Sequence, residues 1–284
     1  MSKKCVIMRK ELEKKIEQAI KLLRLMAESN DDVELCYSGG KDSDVILELA
    51  KMAGIKFTPI YKATTIDPPY TIRHCREKSV QVVFPKRTFF QLLQRKCMSS
   101  RFGRWCCSEL KEYKIKDTQI LGIRKQESKK RAKLYKEPVQ CRLYKKGEHV
   151  QQILPILDWT TEDILEFITE YNIKLHPLYY RQDGTVDVTK RLGCLCCPLQ
   201  SDNGLADFKD YPKMVNTYIH CMKVWWNKPR KKPTSIQKRY SDVYEYFVCR
   251  VFYKSVKCMT LNKESLFPQN WKANLEDYFK IKLP

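Results

Sequence analysis

A chain of 284 residues with 43% hydrophobic content is long enough to bury a sizeable core and too apolar to be a disordered polymer. Its 54 Lys and Arg against 33 Asp and Glu give a formal charge of +21, which favours polyanionic partners: nucleic acid, or the phosphates of a nucleotide. Residues Cys5 to Met8 are too short an apolar run for a signal sequence and no later run reaches membrane length, so a cytoplasmic protein without a membrane partner is expected. In that setting thirteen cysteines point to metal or redox chemistry rather than to disulfides.

In chain order, Leu12, Ile16, Ala19, Ile20, Leu23 and Met26 recur at helical spacing and predict an amphipathic helix ending near Ser29. The apolar run Val33-Glu34-Leu35-Cys36-Tyr37 then reads as a strand, and Val45 to Ala50 as a helix. Between them lies Ser38-Gly39-Gly40-Lys41-Asp42-Ser43. Adjacent glycines let a backbone approach a ligand closely, and the unpaired N–H groups and dipole of the following helix attract anions. Lys41 adds a full charge, and Ser38 and Ser43 add hydroxyls. The glycine spacing is not that of the common ATPase loop, Gly-x-x-x-x-Gly-Lys-Ser/Thr. Asp42 is the nearest carboxylate for a Mg²⁺ accompanying ATP, with capping of its own helix as the equal alternative.

A second strand is expected at residues 57–61 and a helix from Pro68 and Pro69 through Lys78. Thr65 and Asp67, in the intervening loop, should face a nucleotide at the carboxyl edge of a parallel sheet, with a helix cap as the alternative for Asp67. Residues 80–84 read as the third strand, 88–94 as a helix and 120–123 as a further strand. That last strand opens onto Arg124 and Arg131, whose planar guanidinium forks suit a phosphate or sulfate. Residues 133–150 lack periodicity and read as a surface excursion. Core resumes at residues 153–159, and Thr160 with Asp163 caps a helix at 162–171.

Cys194 and Cys197 form a Cys-x-x-Cys pair, and Cys106-Cys107 would supply the other half of a four-thiolate site. Adjacent ligands fit one tetrahedral zinc awkwardly and suit a cluster with several iron corners, with zinc or free thiols as the alternatives. Cys196 lies between the paired residues and could replace one of them, whereas Cys249 and Cys258 read as buried structural thiols. Residues 201–284 are helical and basic, and the linker Lys228, Arg230, Lys231 and Lys232 beside Trp225 and Trp226 suits either a nucleic-acid backbone or solvent.

The Ser-Gly-Gly-Lys-Asp-Ser run resembles the PP-loop of the adenine nucleotide α-hydrolase superfamily. Arg-Trp-Cys-Cys-x-x-Leu-Lys, Gly-Ile-Arg-x-x-Glu-Ser-x-x-x-Arg, Pro-Ile-x-Asp-Trp and Gly-Cys-x-x-Cys-Pro follow it in order. Together they resemble the phosphoadenosine-phosphosulfate (PAPS) reductase family over about Val33 to Pro198. The resemblance implies a doubly wound, mostly parallel α/β domain at residues 1–200, followed by a helical basic region at 201–284. It implies an adenine nucleotide, ATP or an adenylyl sulfate, held by Ser38, Gly39, Gly40, Lys41, Asp42, Ser43, Thr65 and Asp67. Lys41, Asp42, Arg124 and Arg131 become the catalytic candidates, and Cys106, Cys107, Cys194 and Cys197 the ligands of a 4Fe–4S cluster.

The resemblance departs at the C-terminal end, where the family's reductases carry a nucleophilic cysteine in a Glu-Cys-Gly-Ile/Leu-His run and these residues have none. The expectation is therefore an ATP-cleaving sulfur-transfer or adenylation enzyme that releases AMP and pyrophosphate and works with a sulfur donor or reductant protein. A thiol-dependent sulfonucleotide reductase and a non-catalytic nucleotide sensor or nucleic-acid-binding module are the alternatives.

Overall fold

The computed structural model describes residues 3–28, 33–144, 147–252 and 270–284, with side chains from residue 10 onward. In chain order these form α1 (Lys3–Glu28), β1 (Val33–Tyr37), α2 (Lys41–Ala53), β2 (Thr58–Lys62), α3 (Thr71–Glu77), β3 (Gln81–Val83), α4 (Phe89–Lys96), α5 (Trp105–Leu110) and β4 (Thr118–Leu121). There follow α6 (Lys129–Leu134), β5 (Val139–Leu143), β6 (His149–Ile153), α7 (Thr161–Glu170), α8 (Leu205–Asp210), α9 (Pro212–Trp226), α10 (Ser235–Arg239), α11 (Val243–Val251) and α12 (Trp271–Phe279). The chain gathers into two compact units, each built from three stretches of sequence. Unit 1 comprises Met1–Ala63, Pro68–Phe84 and Glu112–Gly193; unit 2 comprises Thr64–Asp67, Pro85–Lys111 and Cys194–Pro284.

Unit 1 is a doubly wound α/β fold on a six-stranded sheet of order β3-β2-β1-β4-β6-β5. All neighbours pair in parallel except β5, which runs antiparallel on β6. Strand order therefore reverses between β1 and β4, and in open α/β sheets that switch point opens the crevice in which ligands bind. Alternation along β1 sends Val33, Leu35 and Tyr37 into one core with Leu12, Ile16 and Leu23 of α1, Ile46 and Leu49 of α2 and Phe167 of α7. The helix expected from the spacing of Leu12, Ile16, Ala19 and Leu23 is thus α1, and those four residues are its buried stripe.

The other side of β1 is polar yet buried. Glu34 pairs with Lys62 at 2.8 Å and accepts from Gln119 at 2.9 Å, while Tyr144 donates to Gln119 at 2.8 Å. A buried charge is tolerable only when it is paired and hydrogen-bonded in this way. Residues 133–150 are more than the surface excursion expected from sequence: they contain β5, which pairs antiparallel with β6 and in which Val139, Cys141 and Leu143 alternate with Gln140 and Arg142.

Unit 2 is helical and includes the helical C-terminal region. Phe89 and Leu93 of α4, Tyr218 and Met222 of α9, Phe247 of α11 and Leu275 of α12 share its core. Within that region α11 starts on Asp242, whose side chain accepts from the Glu245 amide. The shorter α10 was not foreseen, although Thr234 and Gln237 make a full capping box at its start. No helix among the described residues is long and apolar enough to cross a membrane.

Candidate functional site

Only Ser38, Gly39 and Gly40 connect β1 to α2. Gly39 has φ +76°, and a Cβ there would lie 3.0 Å from Leu192 and 3.3 Å from Thr71. Gly40 caps α2 with extended backbone and no side-chain hydrogen bond. Asp42 therefore does not cap its own helix, the alternative open from sequence. Ser38 donates to Ser43 at 3.1 Å, and Ser43 to the Gly40 carbonyl at 2.7 Å, which ties the two ends of the turn together. The hydroxyl of Tyr179 accepts from the amides of Lys41 at 3.2 Å and Leu192 at 3.4 Å. Tyr179 was not singled out from sequence, since nothing local marks a tyrosine 138 residues away as a partner of the turn.

Lys41 and Arg124, both buried, converge on the Asp42 carboxylate at 3.2 and 2.7 Å. Arg131 pairs with Glu127, and Arg191, also unforeseen, donates to the Glu127 carbonyl at 2.8 Å. The charges feel one another. Burial pulls the Lys41 ammonium below its ordinary value, opposed by Asp42 and reinforced by Arg124 and Arg191. Burial and Arg191 likewise lower Arg131. Four cations thus gather around two carboxylates at the N-terminus of α2, an arrangement suited to an anionic ligand.

Beneath the turn, the buried Asp44 accepts from the Tyr37 hydroxyl at 2.5 Å and meets His74 Nε2 at 3.2 Å. Burial, then the charge of Asp44, hold the Tyr37 hydroxyl well above its ordinary pKa. His176 Nδ1 accepts from the Leu178 amide at 3.1 Å, so the ring proton sits on Nε2, which donates to the Pro69 carbonyl at 3.1 Å. Burial and the neighbouring His74 push His176 down to about 4.

The remaining predicted residues belong to unit 2. Asp67 does not cap α3, whose N-cap is Tyr70. Its carboxylate accepts instead from the Thr64 amide at 2.9 Å, the Thr64 hydroxyl at 2.6 Å and the Thr65 amide at 3.2 Å. Thr65 holds φ +64°, unusual for a β-branched residue, and its hydroxyl accepts from the Phe89 amide at the start of α4 at 2.8 Å. Both polar groups are engaged in shaping their own loop.

Cys106, Cys107, Cys194, Cys196 and Cys197 line one recess with Lys111 and Tyr218, about 360 Å³ in volume and partly open to solvent. Cys106 and Cys107 sit in α5, and the hydrogen bond between them, then burial, raise the Cys106 thiol. Arg104 donates to Cys107 Sγ at 3.2 Å. Burial by itself would lower Lys111, but Cys194, which accepts its hydrogen bond, and Asp67 hold it above its ordinary value. The Cys194–Cys197 turn is pinned by the Leu195 amide on Ile66 at 2.8 Å and the Cys196 amide on Asp207 at 2.6 Å. Cys196 is buried, and burial followed by Asp207 raises its thiol strongly. No three His, Cys, Asp or Glu side chains among the described residues are gathered closely enough to hold a single metal ion. All eleven described cysteines with resolved side chains are free thiols. Cys249 is half-buried rather than buried, and Cys258 lies outside the described residues.

The basic linker divides. Arg230 is not offered to a phosphate: it donates to the carbonyls of Trp225 at 2.6 Å, Trp226 at 3.1 Å and Lys228 at 3.2 Å, and stacks 4.5 Å from the Trp225 ring. It closes the C-terminus of α9, where a cation is favoured. Lys228, Lys231 and Lys232 are exposed.

The family model described as phosphoadenosine phosphosulfate reductase domain matches residues 32–200, more than half of the chain. An uncharacterized 37.8 kDa protein of Escherichia phage 186 is 32% identical over 129 residues, covering 40% of this chain and 35% of that protein. Two sulfate adenylyltransferase subunits 2 of Marinobacter nauticus are each 26% identical over 205 and 214 residues, with 60% of this chain aligned to 66% and 69% of theirs. The chain thus spans about a third of the phage protein and about two thirds of the adenylyltransferase subunits. A solved PAPS reductase from Candida auris, in a phosphate complex, aligns at TM-score 0.45 and 15% identity over 62% of this chain and 88% of that one. The family match runs from the residue before β1 through the Cys194–Cys197 turn, and on its extent the chain belongs to the phosphoadenosine phosphosulfate reductase domain family.

Proposed function

We propose that the protein binds an adenine nucleotide at the β1–α2 turn and cleaves ATP between its α- and β-phosphates in a sulfur-transfer or adenylation reaction. The observation that carries this reading is the cation cluster at the sheet's switch point, where Lys41 and Arg124 converge on Asp42 beside a glycine turn at a helix N-terminus. In this reading the β- and γ-phosphates lie against the first turn of α2. An acceptor oxygen attacks the α-phosphorus, the bond to the bridging oxygen breaks, and pyrophosphate leaves toward Lys41 and the helix dipole. A sulfur nucleophile then displaces AMP. Asp42 would exchange its pairing with Arg124 for the Mg²⁺ that accompanies ATP, freeing the guanidinium for the nucleotide's phosphates. The likeness to subunits named sulfate adenylyltransferase supports nucleotide chemistry of this class.

Cys106, Cys107, Cys194 and Cys197 would hold a 4Fe–4S cluster. They line a single recess, and four thiols in one recess match the four iron corners of such a cluster. Such a cluster would supply electron-transfer capacity or a structural staple.

Anaerobically purified protein given ATP, or separately an adenylyl sulfate with a thiol reductant, tests the proposal. Release of pyrophosphate and AMP from ATP, lost in Lys41→Ala, is expected. Sulfite from the adenylyl sulfate without pyrophosphate would replace this reading with a sulfonucleotide reductase, and neither product with no nucleotide bound would leave a non-catalytic module.

A further inference from the structure

Unit 2 has a second recess that the proposed chemistry does not use. Arg101, Phe102, Asn203, Cys249 and Arg250 are among its lining residues, and it is about 440 Å³ in volume and partly open to solvent. Phe102 is 93% exposed, the most exposed large hydrophobic side chain among the described residues.

On a loose loop an exposed ring would need no explanation, but this loop is tied down. The Ser100 amide donates to the Gly103 carbonyl at 3.1 Å, and the Gly103 amide returns a bond to the Ser100 hydroxyl at 3.0 Å. Arg101 Nε donates to Asn203 at 3.0 Å, and Trp105 Nε1 to the Cys97 carbonyl at 3.0 Å. Cys97 is buried with φ +64° and ψ −173°, a conformation that a non-glycine residue holds only when its surroundings enforce it. The fold therefore presents the ring to water by construction.

The surroundings are cationic. No carboxylate lines the recess among the described residues. Arg250 donates through Nε to the Tyr246 hydroxyl at 3.3 Å, and its guanidinium lies 5.4 Å from the Tyr246 ring centroid. Unit 2 also carries more than half of the chain's net positive charge.

We infer that this recess docks single-stranded nucleic acid, with an unpaired base stacked on Phe102 and an adjoining phosphate on Arg250. Every base has a π-face, so a lone phenylalanine accepts any sequence, and a guanidinium fork matches phosphate oxygens. An acidic protein would meet the charge but has no such use for one isolated ring. The inference does not rest on the proposed ATP chemistry in unit 1.

Fluorescence anisotropy with short labelled single-stranded DNA and RNA at low salt is the test, with heparin as a polyanion that lacks bases. Phe102→Ala should weaken oligonucleotide binding about tenfold while leaving ATP binding and heparin binding unchanged, and Phe102→Trp should restore it. Arg250→Gln should lower the slope of log affinity against log salt by about 0.7. No oligonucleotide binding at low salt, equal affinity in Phe102→Ala, or a Phe102→Ala loss that heparin shares would overturn the inference. ATP binding retained alongside any of those results would leave the proposed function standing.

Discussion

Gly122, at the end of β4, lets the first turn of α2 pass so closely that a Cβ on it would fall 2.8 Å from the Asp42 carbonyl oxygen. Backbone cannot yield as a side-chain tip does. Gly122→Ala is expected to cost about 1–3 kcal/mol in chemical denaturation and to weaken ATP binding by displacing Lys41 and Asp42. Gly204 makes the same demand in unit 2, with φ +82° and a would-be Cβ 2.6 Å from the backbone of Cys196. His176 gives a pH signature. Its folded pKa of about 4 lies below that of an unfolded histidine, which takes up its proton as pH falls through about 6.5. Its contribution is complete above that value, is lost progressively down to about pH 4, and is constant below. The loss is of the order of 3 kcal/mol, and urea midpoints of wild type and His176→Gln across that window should differ by a slope present only in the wild type.

At the scale of elements, α7 starts on a full capping box. Thr160 accepts from the Asp163 amide at 3.1 Å, the Asp163 carboxylate accepts from the Thr160 amide at 2.6 Å, and Lys15 of α1 joins it at 2.5 Å. α7 also packs on α2, so this cap helps to position the helix that carries Lys41 and Asp42. Thr160→Ala should cost about 1 kcal/mol, read from denaturation. The linker after α9 makes a contrasting case. Arg230→Gln should lower stability by about 1 kcal/mol through the lost carbonyl bonds and ring contact. If the linker tracks a nucleic-acid backbone, neutralising Lys228, Lys231 and Lys232 should flatten the salt dependence of binding, and Arg230→Gln should not.

Across the whole molecule, the chain threads between its two units, so that residues far apart in sequence meet within unit 2: α5 brings Cys106 and Cys107, and the stretch after Gly193 brings Cys194 and Cys197. Protein purified without oxygen should be brown and carry about four irons per chain, as a 4Fe–4S centre requires. Serine at any of those four positions should abolish the colour, and serine at Cys196 or Cys249 should not. Colourless protein with one zinc would refute the cluster, whereas iron lost through Cys196 would exchange one ligand within the turn.

What could be read from sequence alone was what local rules govern. The strand, two-glycine turn and helix around Lys41 declare themselves because glycine, alternation and helical periodicity act over a few residues, and the Thr160 cap and the α1 stripe follow for the same reason. The ordered motifs also carried the family and hence the sheet. Tertiary structure decided which groups meet. It set the Tyr179 hydroxyl under the Lys41 amide, placed Arg191 beside Arg131, and engaged Asp42 with two cations instead of a helix end. It turned Asp67 back onto Thr64 and closed α9 with Arg230. It also gave β5 its place, since the antiparallel pairing of Val139–Leu143 with β6 at the sheet's edge follows from no local rule. Hydrogen bonds and charges act across space, so a residue's type shows what it can donate or accept, and only the fold supplies the partner.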